Sequence, residues 1–300
     1  MAPPGIYHPG SSYLRLVEYQ KNIKLESYHP DLPLVLFITF SRMASGLSIV
    51  SVFFPPSIFR TGVALALMGL ATLASIAHLS VPLRFLTMVR NNRSFLVWEI
   101  RLAGALTALL ALHFLTFLGY FERFHTMLPW VNFVISILFL ASTAWAYRFA
   151  SHPAWNTSIL AFYYLASACM MGLVLRAMYY SLPALPLLYT VLLVAEAFLL
   201  FLYRNHLRQT SPTALQDLTT GREKWIFLAF LWTSLLLPAT LTSLIFFEGY
   251  HRGPANILMA MSCFTGILLE RVLFFTVERP VFFFSFVWDP NGEGQHWIRG

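Results

Sequence analysis

The chain has 300 residues, of which 58% are hydrophobic and only 11% charged, with a mean hydropathy of +0.66. A soluble domain carries about 25% charged residues, so the deficit excludes an ordinary soluble fold and points to a bilayer. The formal net charge of +7 lies mostly in short connecting segments, where lysine and arginine set topology, so it does not point to nucleic acid.

Residues 1–31 are polar, contain Pro3, Pro4 and Pro9, and hold no apolar core of the kind a cleaved signal peptide needs. The expectation is a cytoplasmic N-terminal extension, with the first membrane helix serving as the targeting signal. A spanning helix needs about 20 mostly apolar residues. Eight such runs follow: 32–54, 61–79, 95–120, 127–148, 156–179, 183–203, 224–247 and 254–277. Pro55, Pro56, Pro82, Pro129, Pro153, Pro183, Pro212 and Pro254 fall at or near the proposed ends, where proline suits a loop or a first helical turn. Pro238 falls inside the seventh run and predicts a kink. The connections are short except 80–94 and 204–223, and no internal repeat or low-complexity tract is evident. The expected fold is an all-α integral membrane bundle of eight transmembrane helices. The expected domains are the extension 1–31, the membrane domain 32–279 and a tail 280–300.

Thirteen basic residues fall on one side of this arrangement: Arg15, Lys21, Lys24, Arg84, Arg90, Arg93, Arg148, Arg204, Arg208, Arg222, Lys224, Arg279 and Arg299. Arg60, Arg123, Arg252 and the helix-end Arg176 fall on the other. By the positive-inside rule both termini are expected in the cytoplasm. A partner docked on one face could select for basic loops independently. Cys169 and Cys263 both sit in apolar runs and form no metal-site spacing, so no cysteine-ligated cluster is expected in this chain.

Four arginines and three glutamates fall within the spans: Arg42, Arg101, Arg176, Arg271, Glu99, Glu196 and Glu270. Charges at the centre of a membrane helix cost about 2.5–3.5 kcal/mol on insertion scales, so they pair, reach the interface or serve a function. Pairing or snorkelling is the expectation for Arg176 and Glu270, and Glu196 is expected to pair with Arg42 or Arg271. His78 closes the second run and Glu99 opens the third, so antiparallel helices put both at one membrane face. An imidazole and a carboxylate at one edge are the parts needed to bind a quinol hydroxyl and take its proton. Without a motif, His78 reads as well as a helix-end histidine bonded to a loop carbonyl.

Several segments in order carry a family resemblance. His78-Leu79-Ser80-Val81-Pro82-Leu83-Arg84 resembles the His-Leu-Gly-x-Pro-x-Arg segment of the dimethyl sulfoxide reductase membrane-anchor family, and Ser94 to Ile100 resembles the start of its third helix. Pro153-Ala154-Trp155-Asn156-Thr157 is similar to the segment before its fifth helix. Gly266 to Phe275, with Arg271, is similar to its last helix. Ser80 stands where the family has glycine, and Arg42 where it has glutamine. The resemblance covers roughly 32–277.

The resemblance implies an anchor, in the cytoplasmic (inner) membrane of a prokaryote, for a four-cluster iron–sulfur subunit and a molybdopterin catalytic subunit. It implies binding of menaquinone or ubiquinone and electron exchange with the partner's nearest cluster. It implies no haem in this chain. The family's quinol-binding histidine and glutamate fall on His78 and Glu99 as the catalytic pair. Arg84, Trp155 and Asn156 join them as candidate quinone-binding residues, with partner docking or interfacial anchoring as the other readings. A haem-bearing anchor is the rival, with His113 in the third span as a candidate ligand. Against it, His78 and His113 lie toward opposite helix ends, and an interhelical hydrogen bond explains His113 more simply. A small transporter is a third reading, disfavoured by the absence of inverted repeats.

Overall fold

The computed structural model describes residues 31–78, 95–148, 154–178, 184–221, 223–248 and 252–277; the side chains of His78, Phe247, Glu248, Arg252 and Val277 are excluded from that description. Arg84, the extension before Asp31 and the tail 280–300 lie outside the described residues.

Asp31 caps α1 (Leu32–Ser51), its side chain accepting from the Leu34 amide at 3.3 Å, with Pro33 in the first turn. Next come α2 (Ile58–His78) and α3 (Phe95–Thr116), then α4 (Leu128–Ala146) and α5 (Ile159–Ala177). They are followed by α6 (Leu185–Thr210), the short α7 (Pro212–Thr219) and α8 (Lys224–Leu231). A π-turn over Trp232–Leu236 joins α8 to α9 (Leu237–Glu248), and α10 is Arg252–Val277. No strand occurs among the described residues, and eight helical segments are long and apolar enough to cross a membrane, α8 and α9 counting as one. The chain is an all-α integral membrane bundle.

Successive spans alternate in direction. The start of α1 shares one face with the ends of α2, α4, α6 and α10; this is called the inner face below. Lipid-facing surface is plain on α6, where Leu187, Val191, Val194, Phe198 and Phe201 recur at helical spacing and are all exposed. Trp98, Trp145 and Trp225 mark the inner face as exposed helix-end aromatics, and Trp130 marks the opposite one.

The most buried span is α1, packed on α2, α4, α5 and α10. Its crossing with α5 is close because Gly46 meets Ala168 and Gly172 meets Gly46, backbone on backbone. A Cβ at either glycine would overlap a facing carbonyl. Lipid gives no hydrophobic force between helices, so close backbone approach of small residues supplies the packing instead.

Two differences from the sequence reading have physical causes. The connection 204–223 is not a loop. Its polar Arg204, His206 and Arg208 continue α6, whose Leu207 is buried, and Pro212 starts α7, whose Ala214 and Leu218 turn inward four residues apart. Pro238 acts one turn upstream of itself. Lacking an amide hydrogen, it is preceded by the π-turn 232–236, and the Thr233 carbonyl there accepts from the Ser262 hydroxyl of α10 at 2.5 Å. Gly266 makes room for this contact, since a Cβ there would stand 2.9 Å from that of Ser234.

Candidate functional site

Glu99 lies one turn into α3 from the inner face and is only 1% exposed. Apolar Leu106 and Leu110 are the buried positions that turn this face of α3 into the bundle, and they carry Glu99 in with them. Neither carboxylate oxygen has a hydrogen-bond partner among the described residues. The Thr143 side chain of α4 lies beside it, although that hydroxyl donates to the Phe139 carbonyl at 3.0 Å. Arg271 of α10 is the cation whose charge reaches it. His78 ends α2 at the same face.

Deeper in, a charged network crosses the bundle. Arg42 of α1 donates from one Nη1 to Glu270 Oε2 at 2.9 Å and to Ser167 Oγ of α5 at 3.1 Å. Arg271 donates from Nε to the same Oε2 at 2.9 Å and from Nη2 to Oε1. Both guanidiniums lie against the Tyr164 ring, their Cζ atoms 4.3 and 4.0 Å from its centroid. Glu270 is therefore paired inside the bundle, as the sequence suggested. Glu196 differs from its expectation. It is buried, and Arg42 is the cation whose field it feels, but the carboxylate that both arginines named for it bind is Glu270. Adjacency in sequence decides this: Arg271 takes its neighbour's carboxylate, and Arg42 completes it.

Trp155 and Asn156 stand in the segment before α5 at the inner face. Asn156 is exposed. Trp155 is half-buried and stacks on Phe274 of α10, centroids 4.5 Å apart. Phe274 and Phe275 in turn pack edge-on against Tyr147, at 5.6 and 5.8 Å. The aromatic cluster thus stands between Trp155 and the Glu99 side of the bundle, with Tyr147 within range of the Glu99 charge. Trp155 also lines a cavity of about 460 Å³ between α5, α6, α8 and α10, whose wall includes the Glu270 side chain. Thr143, Tyr147 and Arg271 were not singled out for this site in the sequence. The signal that could have found Thr143 and Tyr147 is their place in the last turn of the fourth span, at the face where the third begins.

At the opposite face His113 and Asn132 approach across α3 and α4, with Nδ1 and Nδ2 3.5 Å apart. This is the interhelical contact expected for His113. The His125 ring stands 5.7 Å away and its Nδ1 is 2.8 Å from the Thr116 hydroxyl. Among the described residues no group of three or more His, Cys, Asp or Glu side chains is placed to hold a metal ion.

A bundle of apolar spans holding a buried carboxylate, a paired charge network and an apolar cavity belongs to the class of polytopic membrane proteins. The DMSO reductase anchor subunit (DmsC) family matches residues 25–277. The chain belongs to that family, and so is the membrane anchor of a molybdoenzyme complex. No curated protein matches it with significance.

Proposed function

We propose that this chain is a quinone-reactive anchor, exchanging electrons between a membrane quinone and an iron–sulfur subunit docked at its inner face, with the molybdopterin subunit beyond. The observation that supports the quinone reading is the Glu99 carboxylate, buried to 1% exposure with no hydrogen-bond partner among the described residues. A buried acceptor without a donor costs about 1–3 kcal/mol, and more when charged. A ligand hydroxyl reaching it from the inner face removes that cost, and a quinol carries two.

In quinol oxidation the two electrons leave for the partner's nearest cluster, and the two hydroxyl protons must go to bases and then to water. His78 accepts a hydrogen bond from one hydroxyl and takes its proton, since imidazole titrates near neutrality. Glu99 receives the proton from the imidazole, or holds the tautomer that accepts it. Quinone reduction uses the same groups in reverse. Arg84, Trp155 and Asn156 are assigned to quinone binding beside them. Menaquinone and ubiquinone both satisfy this chemistry. The setting is the cytoplasmic membrane of a prokaryote.

The test pairs two assays on the assembled complex. His78→Leu and Glu99→Gln should each reduce quinol-linked turnover at least tenfold, a general base contributing about 100- to 10,000-fold. Turnover from a soluble artificial donor, which feeds the partner subunits directly, should be unchanged. Normal quinol-linked rates in His78→Leu would remove the site assignment.

A further inference from the structure

The cavity between α5, α6, α8 and α10 lies across the Tyr147, Phe274 and Phe275 cluster from Glu99, with Trp155 on its wall, and its origin is local. The π-turn before Pro238 divides the seventh span into two differently packed halves. The α9 half packs on α6 and α10, whereas α8 packs on α7 and α10. The inner halves of α6 and α8 are therefore free to splay, and α7 covers the gap with Leu215 and Leu218. The space left is about 460 Å³, within the range of a ligand site. It is open to the side: Phe201 lines it and is 57% exposed on the lipid-facing stripe of α6.

Three features define the occupant. First, the depth. Lining residues on α6 run from Leu207 to Ala197, which at 1.5 Å per residue is about 15 Å. That is half the roughly 30 Å hydrocarbon core, the depth of one leaflet. Second, the wall is almost entirely apolar, and its one buried charge offers nothing. Both oxygens of Glu270 are held by Arg42 and Arg271, and apart from Tyr163 the other polar side chains of the lining, Trp155, Tyr203, Arg204 and Thr219, stand at its inner-face end. A hydrocarbon chain needs no polar partner there. Third, the rim carries Arg204, exposed and without an ion pair among the described residues, with Arg208 one turn further out on α6.

We propose that this cavity is a binding site for an anionic phospholipid, one acyl chain lying between α6 and α8 and its phosphate on Arg204. The chain fills space that packing around Pro238 leaves open, and the phosphate supplies the counter-charge that Arg204 lacks. The lipid enters sideways past Phe201 from the inner leaflet.

The experiment uses the whole complex, purified in mild detergent and exchanged extensively, with bound lipid extracted and quantified by mass spectrometry. Delipidated complex is then titrated with phosphatidylglycerol or phosphatidylcholine. The wild type should retain close to one anionic phospholipid per complex and prefer phosphatidylglycerol. Leu200→Trp, which fills the cavity wall, should abolish retention. Arg204→Gln should weaken phosphatidylglycerol binding roughly fivefold, as expected for about 1 kcal/mol per basic side chain at an anionic lipid, and weaken phosphatidylcholine, whose phosphate is offset by its own ammonium, less, so that the preference for phosphatidylglycerol shrinks. Should Leu200→Trp fail to assemble, the surface substitution Arg204→Gln decides the matter. Retention of quinone in place of phospholipid, undiminished retention in an assembled Leu200→Trp complex, or an unchanged lipid preference in Arg204→Gln would each overturn the proposal.

Discussion

Arg42 and Glu270, 228 positions apart, meet at 2.9 Å in the interior of the bundle, and Arg271 holds the same carboxylate from its own helix. One anion is thus shared by two buried cations. Removing one partner of a buried pair is strongly destabilising, about 3–5 kcal/mol, because a charge is left uncompensated. Glu270→Leu strands two guanidiniums and should prevent a stable complex, or lower its thermal midpoint by many degrees. Arg42→Met leaves the Arg271–Glu270 pair balanced and should cost markedly less. Thermal unfolding of the purified complex, read for both variants, checks the order. An equal effect would mean that the network does not depend on the shared carboxylate.

The α1–α5 crossing makes a sharper steric prediction. Gly172→Ala places a methyl group into the Gly46 backbone, and Gly46→Ala places one into the Ala168 carbonyl. Backbone cannot yield as a flexible side chain does, so each should sharply reduce the folded anchor recovered from membranes. Gly69→Ala and Gly104→Ala are the controls. A Cβ at either meets nothing within 4 Å, and replacing a helix-interior glycine by alanine stabilises by about 0.5–1 kcal/mol. These two should match or exceed the wild type in recovery.

What could be read from the sequence follows from which forces are local. The spans were legible because length and apolarity report directly on hydrocarbon thickness, and prolines such as Pro129 and Pro33 sit in first turns. The end of α6 was misread because Arg204, His206 and Arg208 look like loop, while burial of Leu207 depends on α7 folding back beneath it. The place of Glu99 at a helix start was legible, but not its burial among Thr143, Tyr147 and Arg271, which come from two other helices. Pro238 announced a distortion. Its compensation by Ser262 and Gly266 is a contact between helices, and the cavity is a consequence of that contact. The Arg42–Glu270 pair was hidden because three carboxylates, Glu99, Glu196 and Glu270, lay in spans that Arg42 could have faced.

His113 supplies a spectroscopic prediction. Its Nδ1 faces Asn132, and its ring neighbours are Phe117 and His125. The purified complex should show no Soret band attributable to this subunit, and His113→Leu should leave the optical spectrum and the quinol-linked rate unchanged within error. It should lower stability modestly, since the Asn132 amide then loses its partner, a loss of about 1–3 kcal/mol when buried. A bis-imidazole band that disappears in His113→Leu would assign a haem to this face.

The orientation of the bundle follows from charge. Among the described residues the inner face carries Arg148, Arg204, Arg208 and Lys224 beside helix ends, and the opposite face carries Arg60, Arg123, Arg176 and Arg252, of which Arg176 is fully buried in the bundle. Arg60 is 5% exposed and so is drawn into the bundle rather than standing in the loop. Lysine and arginine near span ends are retained on the cytoplasmic side, so the inner face should be cytoplasmic. Reporter fusions after Gly221, which follows α7 at the inner face, should report cytoplasm. Fusions after Glu122, in the turn between α3 and α4, should report the other side. The reverse pattern would mean that the basic residues of the inner face hold partner subunits against a topology set by other signals, and it would place the quinone reaction at the outer surface of the membrane.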